Sequence, residues 1–158
     1  MSEQQAFLSA LRSKLGPKVL TTDAAEIEPW LTDWRGRVHG SSPVMLAPAS
    51  TEEVVEIVRL AAEHRVPLVP QGGNTGMVAG ATPPADGSAV LLSTRRMNRI
   101  RSITSDSRLA IAEAGVILET LHDAARDIGM RFPLTLGSRG SCTIGGLTST
   151  NAGGTQVL

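Results

Sequence analysis

The sequence predicts an α+β fold, on three observations. A strand, a helix and a second strand follow one another between Val44 and Pro70, which fits a small parallel βαβ unit. Two apolar runs flank Ser105-Asp106-Ser107, which fits an antiparallel hairpin. Parallel and antiparallel units in one short chain do not fit a regular doubly wound sheet.

Each element has its own justification. Glu3 to Leu15 reads as an amphipathic helix, because Leu8, Leu11 and Leu15 recur at helical spacing and Gly16-Pro17 stops the run. Thr21 to Ser42 reads as irregular, with Trp30 and Trp34 expected to anchor it. Val44 to Ala47 is a short buried strand. Ser50, with Glu53 three residues on, forms a capping box, and the helix it opens places Val54, Ile57, Val58 and Ala61 on one face. Val66 to Pro70 and Ala89 to Leu92 are strands. Ile100 to Thr104 pairs with Leu109 to Ala114 as the hairpin. Val116 to Ile128 is a second helix, with Ile117, Leu121, Ala124, Ala125 and Ile128 on one face and Gly129 as its cap. Beyond Phe132 the chain is rich in Gly, Ser and Thr, and no internal repeat is visible.

The 158 residues carry 15 Lys+Arg against 15 Asp+Glu, so a generic electrostatic role on nucleic acid or an anionic membrane is disfavoured. The single Cys excludes an internal disulfide framework and fits a reducing compartment. No apolar run reaches the roughly 20 residues of a membrane span, and the N-terminus lacks the pattern of a secretory signal. A cytoplasmic location is therefore expected.

The 16 glycines are unevenly placed. Gly72, Gly73, Gly76 and Gly80 fall in one window; Gly137, Gly140, Gly145, Gly146, Gly153 and Gly154 fall in another. The first, Pro70-Gln71-Gly72-Gly73-Asn74-Thr75-Gly76, follows a strand directly. Glycines there let a ligand approach the backbone, successive N–H groups form an anion nest, and Asn74 and Thr75 add side-chain donors. An ordinary wide turn between strands accounts for the same composition. In the second window Ile144, Leu147 and Ala152 favour a packed segment over a flexible linker, and a second backbone clamp on an extended polar ligand is the bolder reading. Neither window matches the Rossmann or P-loop phosphate motifs.

Taken in order, PQGGNTGMVAGA and LTLGSRGSCTIGGLTSTNAGG resemble the flavin-binding lobe of the vanillyl-alcohol oxidase, or PCMH-type, FAD-binding family. Within it the likeness is greatest to D-2-hydroxyglutarate and D-lactate dehydrogenases and the glycolate oxidase D-type subunit. It runs from about Trp30 to the last residue. The resemblance implies FAD held between two subdomains, a small βαβ lobe and a lobe with antiparallel strands and helices. It divides the chain into an N-terminal helix and irregular lead-in, residues 1–40, and an FAD-binding domain, residues 41–158, cut short before a substrate domain. By the same resemblance Pro70, Gln71, Gly72, Gly73, Asn74, Thr75, Gly76 and Met77 hold the pyrophosphate. Gly137, Ser138, Gly140, Ser141, Thr143, Ile144, Gly145, Gly146, Thr150 and Asn151 line the rest of the cofactor.

The implied activity is oxidation of a small-molecule D-2-hydroxy acid by hydride transfer to flavin N5, with a separate electron acceptor and a homo-oligomeric assembly. Another flavin-linked oxidase or reductase of the same lobe, or a flavin-binding module without turnover, is the alternative. Relatives with covalent flavin place a His directly after the Gly-Gly pair, where this chain has Asn74. Others use a Cys in the second loop, where Cys142 is out of register. Non-covalent FAD is expected. No catalytic residue is assigned, no metal ligand is expected among these residues, and a divalent metal belongs only to a later part of the protein.

The remaining polar residues carry weaker expectations. His39, His64 and His122 are far apart and read as solvated or structural. Glu113 runs in phase with Leu109 and Ile111; it reads as an edge residue, with a polar contact near the ligand as the alternative. Arg95, Arg96, Arg99 and Arg101 read as a solvated loop or as a docking surface for a later domain.

Overall fold

The computed structural model describes residues 3–156; Met1 and Ser2 of the lead-in and Val157 and Leu158 of the second unit lie outside them. Its helices are α1 (Glu3–Leu15), α2 (Ala24–Ile27), α3 (Thr51–Glu63), α4 (Leu118–Asp127) and α5 (Ile144–Ser149). Its strands are β1 (Leu20–Thr21), β2 (Met45–Leu46), β3 (Leu68–Gln71), β4 (Val90–Ser93), β5 (Ile100–Thr104) and β6 (Leu109–Ala112). The fold is α+β, as expected. Among the described residues, no helix is long and apolar enough to cross a membrane.

A four-stranded sheet runs in the order β1-β2-β4-β3. The unit predicted between Val44 and Pro70 is present: α3 carries the chain from β2 to β3, which run parallel. They do not touch, because β4 lies between them and pairs in parallel with both. Strand alternation then gives the sheet two apolar faces. Val44, Leu46, Val90 and Leu92 pack with Phe7 and Leu11 of α1 and with Ile57, Leu60 and Ala61 of α3. Met45, Leu91 and Val69 meet Ile27, Trp30 and Leu31 of the lead-in on the other face.

The caps are those the sequence predicts. Ser50 Oγ accepts from the Glu53 amide at 3.3 Å, and Glu53 returns a carboxylate oxygen to the Ala49 amide at 2.6 Å. Gly129 closes α4 at φ 71°. Two helix faces differ from expectation. In α3, Val58 is 48% exposed and Leu60 takes its place against α1. In α4 the helix begins later, because Ile117 is an extended cap that bridges to Thr143. Of the two tryptophans only Trp30 packs; Trp34 is 62% exposed.

The predicted hairpin is β5–β6, a separate two-stranded sheet with a register shift between Ile100 and Ser102. A third, small core of Leu118, Leu134 and Cys142 lies beneath the Ser/Gly/Thr-rich segment. Within that segment the chain forms α5, which the sequence does not announce. Two glycines in a first turn have poor helix propensity. Capping by Thr143 and packing against Ala114 supply what propensity lacks.

Candidate functional site

The first glycine loop leaves the carboxyl end of β3, directly after Gln71. Gln71 is 1% exposed, and its Nε2 donates to the carbonyls of Trp30 at 3.0 Å and Ala81 at 2.9 Å. The second donation closes the base of the loop. Asn74 sits at φ 52°, a conformation that Asn tolerates better than most residues, and its Nδ2 donates to the Thr32 carbonyl at 2.8 Å. Pro70, Gly76 and Met77 are exposed, while Gly72, Gly73 and Thr75 are half-buried.

The second loop is fastened to the start of α4. Leu118 and Glu119 donate their amides to the Cys142 and Arg139 carbonyls, each at 3.0 Å, and Ile144 donates to the Val116 carbonyl at 2.8 Å. Arg139, the one charge in this loop, pairs with Glu119 at 2.6 Å. A turn at Ser138, whose carbonyl accepts from the Ser141 and Cys142 amides, brings Ser141 and Thr143 back toward the first loop.

The two loops then meet. A Cβ on Gly72 would collide with the Thr143 hydroxyl, and one on Gly73 would collide with the Ser141 carbonyl. Thr143 is buried and its hydroxyl also accepts from the Gly146 amide at 3.4 Å. Gly76, Gly137 and Gly140 instead border open space, with no atom within 4 Å of a Cβ placed on them.

The donors divide unequally between the loops. The amides of Gly73, Asn74, Thr75, Gly76 and Met77 donate to no protein acceptor among the described residues. Those of Ile144, Gly145 and Gly146 are consumed by Val116, Ala114 and Thr143. Two side-chain amides of this loop face the chain itself: Asn74 Nδ2 spends one N–H on the Thr32 carbonyl, and Gln71 Nε2 spends both on Trp30 and Ala81. Gly145 packs closely against Ala114. Thr150 and Asn151 lie exposed at the end of α5, where the Thr150 hydroxyl donates to the Gly146 carbonyl at 3.0 Å.

Glu113 is not an edge residue. Its side chain is fully buried and accepts from the Arg99 amide at 3.0 Å, Arg99 Nη2 at 2.9 Å and Arg101 Nη2 at 3.3 Å. Hydrogen bonds from the Arg99 guanidinium, then from its amide, pull the carboxyl down to about 2. Arg96 is also structural: its Nη1 bridges the Lys18 and Ala47 carbonyls at 2.8 and 2.7 Å. Most of the arginine cluster is therefore committed within the chain, and Arg95 stacks 4.9 Å above the Trp30 ring. The histidines have local partners: His39 meets the Thr32 hydroxyl at 2.8 Å, His122 meets the Leu134 carbonyl at 2.8 Å, and His64 lies beside the Phe7 ring.

Sequence reasoning missed the lead-in, whose carbonyls hold the first loop. One local signal was present. Asp33-Trp34-Arg35-Gly36 has the composition of a tight turn, with Asp first and Gly fourth.

The chain resembles known proteins in sequence and in fold. The mitochondrial D-2-hydroxyglutarate dehydrogenase of Bos taurus is 44% identical over 151 residues, which are 96% of this chain and 27% of that protein. Its Arabidopsis thaliana counterpart is 41% identical with the same coverage. A putative mitochondrial D-lactate dehydrogenase of Schizosaccharomyces pombe is 36% identical over 87% of this chain and 26% of its own length. The chain thus spans little more than a quarter of these relatives. Their names overturn the cytoplasmic expectation, since all three are designated mitochondrial.

Solved structures share the fold. An alkyldihydroxyacetonephosphate synthase superposes with a TM-score of 0.84 at 24% identity, covering 95% of this chain and 32% of that one. A p-cresol methylhydroxylase superposes at 0.75 and 19% identity, covering 92% of this chain and 29% of that one. The family described as "FAD binding domain" matches residues 42–158, a stretch that contains both glycine loops and the contact between them, and the chain belongs to that family.

Proposed function

We propose that the chain is the FAD-binding part of a dehydrogenase that oxidises a D-2-hydroxy acid. The observation that carries the cofactor part is the run of open amides from Gly73 to Met77, set against Ser141 and Thr143 of the second loop. A diphosphate needs several converging donors, and a backbone nest supplies them without a cation. The residues present therefore fit FAD: Gly73 to Met77 would hold its pyrophosphate, and Gly137, Ser138, Gly140 and Ser141 would border it from the second loop. FAD, when bound, supplies a hydride acceptor at N5.

What these residues do is bind and orient. Close packing of Gly72 and Gly73 on the second loop fixes the gap between the two loops before any ligand enters, and such preorganisation lowers the ordering cost of binding. The substrate reading is supported by the names of the dehydrogenase relatives. Attachment of the flavin is non-covalent in this reading. Asn74 stands directly after the Gly-Gly pair with its amide on Thr32, and Cys142 is 3% exposed within the third core.

The test is direct. Purified protein, expressed in full, should be yellow and should release its flavin on denaturation without protease. It should then reduce a soluble dye with D-lactate, D-2-hydroxyglutarate or glycolate. Colourless protein that FAD cannot reconstitute would remove the cofactor assignment, and preference for an L-isomer would remove the substrate class.

A further inference from the structure

Both amide side chains of the first glycine loop turn away from its open face and toward the lead-in. Gln71 takes the Trp30 carbonyl and Asn74 takes the Thr32 carbonyl, two residues further along. Gln71 Oε1, like Thr82 Oγ1 and Ser93 Oγ, is buried without a hydrogen-bond partner among the described residues. The Gln71 side chain is therefore oriented by its two donations alone.

The lead-in is itself a built structure. Asp33, 6% exposed, accepts from the amides of Arg37 and Val38 at 2.7 Å each and of Arg35 at 3.2 Å. Its own amide donates to the Val38 carbonyl at 2.9 Å, and the Gly40 amide donates to the Leu31 carbonyl at 2.8 Å. Thr32 and His39 pair across this turn. Trp30 and Leu31 anchor it on the sheet. Trp30 and Thr32 thus present their carbonyls from a rigid support.

We infer that residues 30–33, which precede the stretch matched by the family, brace the pyrophosphate loop, and that Gln71 and Asn74 are positioning residues acting through this brace. The inference rests on the FAD reading above. A backbone nest binds an anion only when successive N–H groups converge, and a glycine-rich loop loses that convergence unless something else fixes it. The brace fixes it from outside, at the base through Gln71 and at the tip through Asn74.

The test is a double-mutant cycle read as FAD affinity in the protein expressed in full. Asn74→Gly removes the amide but keeps the positive φ accessible. Asp33→Ala unties the lead-in turn, and none of its side-chain hydrogen bonds reaches the glycine loop. Each single variant should bind FAD about three- to tenfold more weakly, the scale of one lost hydrogen bond. The double variant should be hardly weaker than either single one, because both act on the same link. Asp33→Asn, which keeps an acceptor for Arg37 and Val38, should recover affinity and also serves if Asp33→Ala fails to fold.

Multiplying effects in the double variant would mean that Asn74 touches the cofactor itself, and would overturn the inference. Unchanged affinity in Asp33→Ala would overturn it too. Wild-type protein that binds no FAD would instead remove the reading on which the inference rests.

Discussion

Gly73 and Ser141 meet backbone to backbone, so closely that a Cβ on Gly73 would overlap the Ser141 carbonyl oxygen. Gly73 is thus required by a loop–loop contact, whatever it does for a ligand. Gly76, three residues on, has no atom within 4 Å of a Cβ placed there. The same residue type performs two different jobs within one loop.

Gly73→Ala should therefore push the loops apart. Neither backbone yields easily, and overpacking of this kind costs about 1–3 kcal/mol. The thermal midpoint should fall and FAD affinity should fall with it. Gly76→Ala should leave the thermal midpoint unchanged or slightly raised, since restricting the unfolded chain stabilises by about 0.4–1 kcal/mol where the native backbone accepts it. Paired melting curves and flavin titrations check both. Equal behaviour of the two variants would mean that the loop contact does not matter.

Strands β2, β3 and β4, the hairpin, the helix caps and the glycine windows were legible because each rests on local signals: short apolar runs, turn residues, a capping box and glycine spacing. The contact between the windows was not legible, since nothing local says that Gly73 faces Ser141 across some sixty-eight positions of chain. Nor was α5, whose first turn contains Gly145 and Gly146 and is held by tertiary packing. The protein partners of the Asn74 and Gln71 side chains were not legible either. An amide side chain looks the same in sequence whether it faces a ligand or a carbonyl of the lead-in. Glu113 misled for a different reason: it lies just past the end of β6, so alternation with the exposed Leu109 and Ile111 does not extend to it, and Arg99 and Arg101 of the partner segment enclose its carboxylate.

Acid should find Glu113. Its carboxyl falls from an ordinary value of 4.5 to about 2, chiefly through Arg99. A group depressed in the folded state binds fewer protons there than in the unfolded chain, so its stabilisation is present above about pH 4.5 and is lost as pH falls toward about 2. The thermal midpoint of the wild type should drop across that window. Glu113→Gln should lower stability at neutral pH and flatten the acid limb. An acid limb unchanged by the substitution would assign it to other carboxylates, such as Asp33 and Glu56, which are also depressed.

Leu118 tests whether the second loop depends on its own small core. It is fully buried, packs with Leu134 and Cys142, and donates its amide to the Cys142 carbonyl at 3.0 Å. Truncation to Ala should cost about 2–5 kcal/mol, because so few neighbours are available to fill the space. Phe7 is the matched control: equally buried, but in the core between α1 and α3. Leu118→Ala should lower both the thermal midpoint and FAD affinity, since the loop that abuts Gly72 and Gly73 loses its floor. Phe7→Ala should lower the midpoint by a similar amount and leave the affinity of the folded protein near that of wild type. Flavin titrations well below both midpoints separate the two cases. Equal loss of affinity would mean that the core beneath the second loop and the core between α1 and α3 act as one cooperative unit.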